Sequence, residues 1–202
     1  LDGGAEGARD FITTCQNNGT ITGEPTCLPV RCGKSPPREY AAYPAEDDFV
    51  FPQEVDYTCH TGYSYDAKYQ KDDKNKKMQT ECQSDGKYKD FDTCKAIKCP
   101  DIASQKNVAV DLGGTKMKFP EKYVSTCDAG YSLDMNKHQE ISYTISCDAE
   151  GSLQSTSKVV DGDNCIPIHC GDFPAVPDAG IKGSQRFEGS AVVQCDTGYS
   201  TD

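Results

Sequence analysis

The residues richest in chemistry are the cysteines. Twelve of the 202 residues are Cys, at positions 15, 27, 32, 59, 82, 94, 99, 127, 147, 165, 170 and 195. Such a set can ligate zinc as thiolates or close disulfides. Cys27 and Cys32, Cys94 and Cys99, and Cys165 and Cys170 stand five apart, like a ligand knuckle. A structural zinc, however, needs two such pairs brought together. Each pair here straddles a boundary between sequence repeats, so disulfides in an oxidising compartment account for it better.

The remaining reactive residues form no catalytic pattern. His60, His138 and His169 lie outside any metal-binding or nucleophile motif, and the chain has no phosphate loop. A non-enzyme without cofactor or metal is expected. Asp161-Gly162-Asp163-Asn164 and Glu46-Asp47-Asp48 lack the full spacing of a calcium loop and read as solvated turns. Lys68, Lys71, Lys74, Lys76 and Lys77, with Asp72 and Asp73 among them, could dock a sulfated or acidic glycan; an exposed loop is the plainer reading. Asn18-Gly19-Thr20 is the single N-glycosylation sequon, and Ser155-Thr156-Ser157 could carry O-glycans.

The cysteines are positioned by a repeat. Cys59-His60-Thr61-Gly62-Tyr63-Ser64-Tyr65-Asp66 returns as Cys127-Asp128-Ala129-Gly130-Tyr131-Ser132-Leu133-Asp134, and again as Cys195 to Asp202 with Gly198-Tyr199-Ser200. From Cys32 the cysteine gaps run 27, 23, 12 and 5; from Cys99 they run 28, 20, 18 and 5. From Cys170 a gap of 25 leads to Cys195, and joining tail to head continues it with 22, 12 and 5. Phe51, Phe119 and Phe187 each stand eight residues before the second cysteine of a repeat. Val55, Tyr57 and Cys59 share one face of an alternating strand, as do Ala191, Val193 and Cys195; Tyr123, Ser125 and Cys127 give a weaker version. Met78, Tyr143 and Phe11 precede the third cysteine by four, and Gly86, Gly151 and Gly19 follow it by four. Those glycines predict turns at positive φ, leading into strands at Tyr88, Leu153 and Ile21.

The divisions follow. Residues 32–94 and 99–165 are whole modules, 1–27 is the second half of one, and 170–202 is the first half of one. The four-residue connectors Leu28 to Arg31, Lys95 to Lys98 and Ile166 to His169 are too short for flexible coil, and Val30, Ile97 and Ile168 are expected at the seams. Helical periodicity is absent, and 18 Gly and 11 Pro punctuate short strands. With 36% hydrophobic residues and no Trp, several small stapled modules are expected rather than one large core. A net charge of -11 argues against nucleic acid as a main partner. No apolar run is long enough to span a bilayer. Leu1 in place of an initiator Met reads as a processed or excised segment.

Four cysteines per repeat, Tyr57-Thr58-Cys59-His60-Thr61-Gly62-Tyr63 at the centre, and the opening Cys170-Gly171-Asp172-Phe173-Pro174 resemble the sushi, or complement control protein, module. Where that family usually carries Trp two residues after the third-cysteine glycine, Tyr88, Leu153 and Ile21 stand here. The resemblance implies an elongated all-β array of small disulfide-stapled modules. It also implies bonds from first to third and second to fourth cysteine: Cys32 with Cys82, Cys59 with Cys94, Cys99 with Cys147, and Cys127 with Cys165. Spacing by itself leaves the connectivity open. Each closed loop stabilises by roughly 4 kcal/mol in the chain-entropy picture. The same rule pairs Cys170 with Cys15 and Cys195 with Cys27, across tail and head. The 202 residues are then a window on a longer chain, a subunit whose tail and head complement each other between neighbours, or an arbitrary cut.

The leading expectation is an extracellular, secreted structural protein: a glycoprotein that is the repeating unit of a sushi-module rod or fibre assembled head-to-tail with copies of itself. The rival is a ligand-binding ectodomain of complement-regulator or adhesion-receptor type, with glycans or extracellular proteins as partners. A hydrolase with sushi modules as accessories would need a catalytic domain elsewhere. Fold does not decide among these.

Overall fold

The computed structural model describes residues 4, 7–23, 26–134, 140–156 and 165–201. The chain divides into two compact units, residues 1–97 and 98–202. Each is built from short antiparallel strands. The helical element among the described residues is one 3-10 turn, Lys74–Lys76. Among the described residues no helix is long and apolar enough to cross a membrane.

The first unit opens with a hairpin of β1 (Thr14–Cys15) and β2 (Ile21–Thr22). Then come β3 (Arg31–Lys34), β4 (Ala41–Ala42), β5 (Asp48–Val50), β6 (Glu54–Cys59), β7 (Tyr63–Ser64), β8 (Lys77–Glu81) and β9 (Lys95–Ala96). The central sheet is β4-β6-β8, flanked by the pairs β3-β5 and β7-β9. β6 has the alternation expected of it: Val55 and Tyr57 are each 1% exposed and Cys59 is buried, while Glu54, Asp56 and Thr58 face water. In register across from it, Met78 and Thr80 are buried on β8. Tyr57 anchors the core, stacked against Tyr43 at 4.9 Å and tilted against Phe91 at 4.7 Å. Its hydroxyl donates to the Pro36 carbonyl at 2.8 Å, which gives a buried phenol its partner. The Arg38 guanidinium lies over Phe91, 4.2 Å from the ring centre. Tyr88, standing where the related pattern has Trp, donates its hydroxyl to the Gly33 carbonyl at 2.7 Å.

The second unit repeats the plan. β10 (Lys122–Thr126), β11 (Tyr131–Ser132), β12 (Ser142–Cys147), β13 (Leu153–Ser155) and β14 (Ile166–Pro167) form the sheet β10-β12-β13 and the pair β11-β14. Its core is more aliphatic: Ile102, Met117, Tyr143 and Ile145 with the cysteines. A further pair, β15 (Ala179–Gly183) and β16 (Ala191–Cys195), follows. There the face of Ala191, Val193 and Cys195 is partly covered: Ala191 and Cys195 are half-buried and Val193 is 45% exposed. Phe11 and Ile21 are likewise exposed. These strands have the right residues, but among the described residues no second layer covers them.

Candidate functional site

The cysteine ladder has two states in this chain. Four disulfides are closed: Cys32–Cys82, Cys59–Cys94, Cys99–Cys147 and Cys127–Cys165. Cys94 and Cys99 are therefore committed to different partners, and among the described residues no group of three potential ligands is placed to hold a metal. Cys15, Cys27, Cys170 and Cys195 are free thiols; the first three are exposed and Cys195 is partly covered.

A common hairpin carries each third cysteine. Gly86, Gly151 and Gly19 have φ of 78°, 75° and 77°. Each donates its N–H three residues back, to the carbonyls of Gln83, Asp148 and Gln16. The turn requires positive φ, which glycine adopts without a Cβ clash. Across it Tyr88 pairs with Cys82, Leu153 with Cys147, and Ile21 with Cys15. The hairpin thus takes one geometry in the closed modules and at residues 14–22, although only the first two bury it.

The connectors are clamped by backbone bonds. Ile97 N–H donates to the Gly62 carbonyl and Ile168 N–H to the Gly130 carbonyl, both at 2.9 Å. The next module then returns a bond: Phe187 N–H donates to the Ile168 carbonyl at 2.9 Å, and Phe51 N–H to the Val30 carbonyl at 2.8 Å. Arg31 pairs with Val50, Lys98 with Lys118, and His169 with Arg186. Ile97 and Ile168 are buried and Val30 is half-buried. In the second unit the seam is complete: the Phe187 ring sits edge-on to Tyr131 at 5.5 Å, and the Tyr131 hydroxyl donates to Glu188 Oε2 at 3.1 Å. A Cβ added at Gly130 would run into the Phe187 ring. The sequence marked Gly-Tyr and Phe as fixed-offset landmarks; that they are opposite walls of one seam is visible only in three dimensions.

The other candidate residues stay apart from this ladder. The lysine segment is folded rather than loose. Asn75 is buried, and its amide donates to Asp66 Oδ1 at 2.7 Å and to the Lys68 carbonyl at 2.6 Å. The Ser64 hydroxyl accepts the Lys68 N–H and donates back to the Lys68 carbonyl. Burial would push the Asp66 carboxyl up, but hydrogen bonds from Asn75, Lys68 and Ser64 outweigh it and hold the group below its ordinary value. Lys74 pairs with Asp72 and Lys76 with Asp73, so two of the five ammonium groups are locally neutralised; Lys68, Lys71 and Lys77 are exposed. Asn18 is exposed, its Oδ1 accepting the Thr20 N–H at 3.0 Å and hydroxyl at 2.7 Å. His169 faces Gln185 Oε1 through Nε2 at 3.1 Å and accepts the Gly171 N–H at Nδ1. The His60 backbone N–H donates to Tyr40 O. Glu46 pairs with Lys34. His138, Ser157 and Asp161 to Asn164 lie outside the described residues.

Fold and ladder together define an all-β protein of small disulfide-stapled modules. Its sequence is similar to sushi-domain proteins at modest identity. It is 28% identical over 176 residues to "Sushi, von Willebrand factor type A, EGF and pentraxin domain-containing protein 1" of Mus musculus, covering 86% of this chain and 4% of that protein. The Rattus norvegicus counterpart is 27% identical over the same length. "Beta-2-glycoprotein 1" of Homo sapiens is 28% identical over 137 residues, 65% of this chain and 36% of that protein. The chain thus spans a small part of the relatives it matches. No family model matches it.

Proposed function

We propose that this chain is a non-enzymatic extracellular structural protein, whose copies join head-to-tail into a sushi-module rod or fibre. In this reading residues 170–202 of one copy and 1–27 of the next complete one module, sealed by Cys170–Cys15 and Cys195–Cys27 bonds. Residues 32–94 and 99–165 are the self-contained modules. The observation that carries it is the distribution of free thiols: Cys15 and Cys195 end strands with exposed apolar residues, Cys27 and Cys170 lie outside any strand, and all four stand at repeat positions whose equivalents elsewhere are bonded. An uncovered hydrophobic strand face with free thiols beside it is what a complementary half-module would cover. A heterologous contact of this kind does not close on itself and so propagates. The four closed disulfides favour a secreted or cell-surface location. Asn18, on an exposed turn, is the expected site of a glycan.

Non-reducing mass spectrometry of the air-oxidised full chain tests the reading. The expected result is a ladder at multiples of one chain, with Cys15–Cys170 and Cys27–Cys195 peptides. Monomers retaining four free thiols would overturn it and leave the rival, a ligand-binding ectodomain, as the better account. The exposed Lys68, Lys71 and Lys77 would then be the first residues to test for a polyanion.

A further inference from the structure

The two closed modules show what a finished seam looks like, and this chain carries both halves of an unfinished one. In each closed module the Gly-Tyr-Ser segment is paired with the connector that follows: Tyr63 opposite Ala96 and Ser64 opposite Lys95, Tyr131 opposite Pro167 and Ser132 opposite Ile166. The third connector residue donates to the glycine carbonyl, at Ile97 to Gly62 and Ile168 to Gly130. At residues 198–200 and 28–30 the same groups are unengaged. Tyr199 is 59% exposed, and a Cβ at Gly198 would meet nothing within 4 Å. Leu28 is exposed, and Val30 N–H and Gly198 C=O have no hydrogen-bond partner among the described residues. Phe51, already bonded through its N–H to Val30, is 41% exposed.

We infer that residues 198–200 form the docking edge for residues 28–30 and Phe51 of a second copy. Tyr199 and Ser200 pair antiparallel with Pro29 and Leu28. The Gly198 carbonyl accepts the Val30 N–H, and the Tyr199 ring packs against Phe51. This rests on the head-to-tail reading and specifies its geometry outside the four thiols. The occupant is a second copy because both surfaces are on this chain and the seam at Ile168 already joins their sequence equivalents. The charge logic differs from that seam in one respect. Glu188, which accepts from Tyr131, is replaced at the equivalent place by Pro52, so Tyr199 has no carboxylate to meet. The new contact is apolar on its aromatic side.

A photocrosslinker tests this. The full chain is made with p-benzoylphenylalanine at position 199, in an equal mixture of light and nitrogen-15 copies, oxidised, irradiated and digested. The expected result is an adduct of residue 199 to the 28–52 segment, with mixed light and heavy partners. In parallel Tyr199→Ala and Phe51→Ala should each weaken association about tenfold or more, as for a buried aromatic anchor, while Tyr199→Phe changes it less than twofold. If the Cys15–Cys170 ladder forms but the adduct falls elsewhere, the seam is wrong and the head-to-tail reading stands. If no ladder forms, or the adduct joins residues of the same copy, both fail.

Discussion

β6 and β16 are two versions of one strand. Each ends on the second cysteine of a repeat, each alternates, and each is flanked by a glycine turn. On β6 the inward residues Val55 and Tyr57 are 1% exposed; on β16 Val193 is 45% exposed. Composition does not explain the difference, since valine at 193 is as apolar as valine at 55. The difference is in what faces them. β6 is sandwiched between β4 and β8 and stapled by Cys59–Cys94, whereas among the described residues β16 has only β15 beside it and a free Cys195. Burial is thus a property of the module, not of the strand.

The largest expected effect tests the staples. Cys59→Ser with Cys94→Ser should lower the stability of the first unit by about 4 kcal/mol, the loop-closure value, read as a shift in denaturant midpoint. Cys170→Ser in a monomeric sample should leave stability unchanged; an equal loss there would erase the contrast between closed and open regions. Next, Val55→Ala should cost about 1–3 kcal/mol through lost burial and a cavity. Val193→Ala should cost under about 0.5 kcal/mol, as an exposed substitution does. Comparable losses in thermal unfolding would mean that β16 is covered after all. Smaller again, Tyr57→Phe removes the bond to Pro36 and leaves that carbonyl unsatisfied, at about 1 kcal/mol.

The smallest effect is acid sensitivity. In Asp148 the Ser152 backbone bond, and in Asp111 the Ser104 hydroxyl, lead the contacts that hold each carboxyl below the ordinary value of 3.8; in Asp66 hydrogen bonds overcome burial to do the same. A depressed folded value means the contribution is fully present above the unfolded value and disappears as pH falls through the folded one. Melting temperature should therefore be flat down to about pH 4 and decline below it. Substituting the three by Asn should flatten that decline.

Much of the closed modules was legible beforehand because it is written in local rules. Alternation placed Val55 and Tyr57 inside, and the glycine offset called for positive φ at Gly86 and Gly151. Three features were not legible. Phe11 and Val193 carry core-type patterns yet stand in water, because a pattern records which face needs cover and not whether cover is present. The lysine segment reads as a charged loop, but Asn75 is buried beneath it by contacts to Asp66 and Lys68, residues seven and nine positions away that no periodicity links. The connectors point to seams at Ile97 and Ile168, but not to the ring contact across one: Tyr131 and Phe187 are 56 positions apart.

The interleaving of the bonds has a mechanical corollary. In the first module Cys32 is tied to Cys82 and Cys59 to Cys94, so the shortest covalent route from Cys32 to Cys94 crosses one disulfide and then runs the 12 steps from 82 to 94. Pulled from its ends and fully melted, that module can pay out only about 40 Å of contour at roughly 3.4 Å per residue, while most of its residues hang in slack loops that bear no tension.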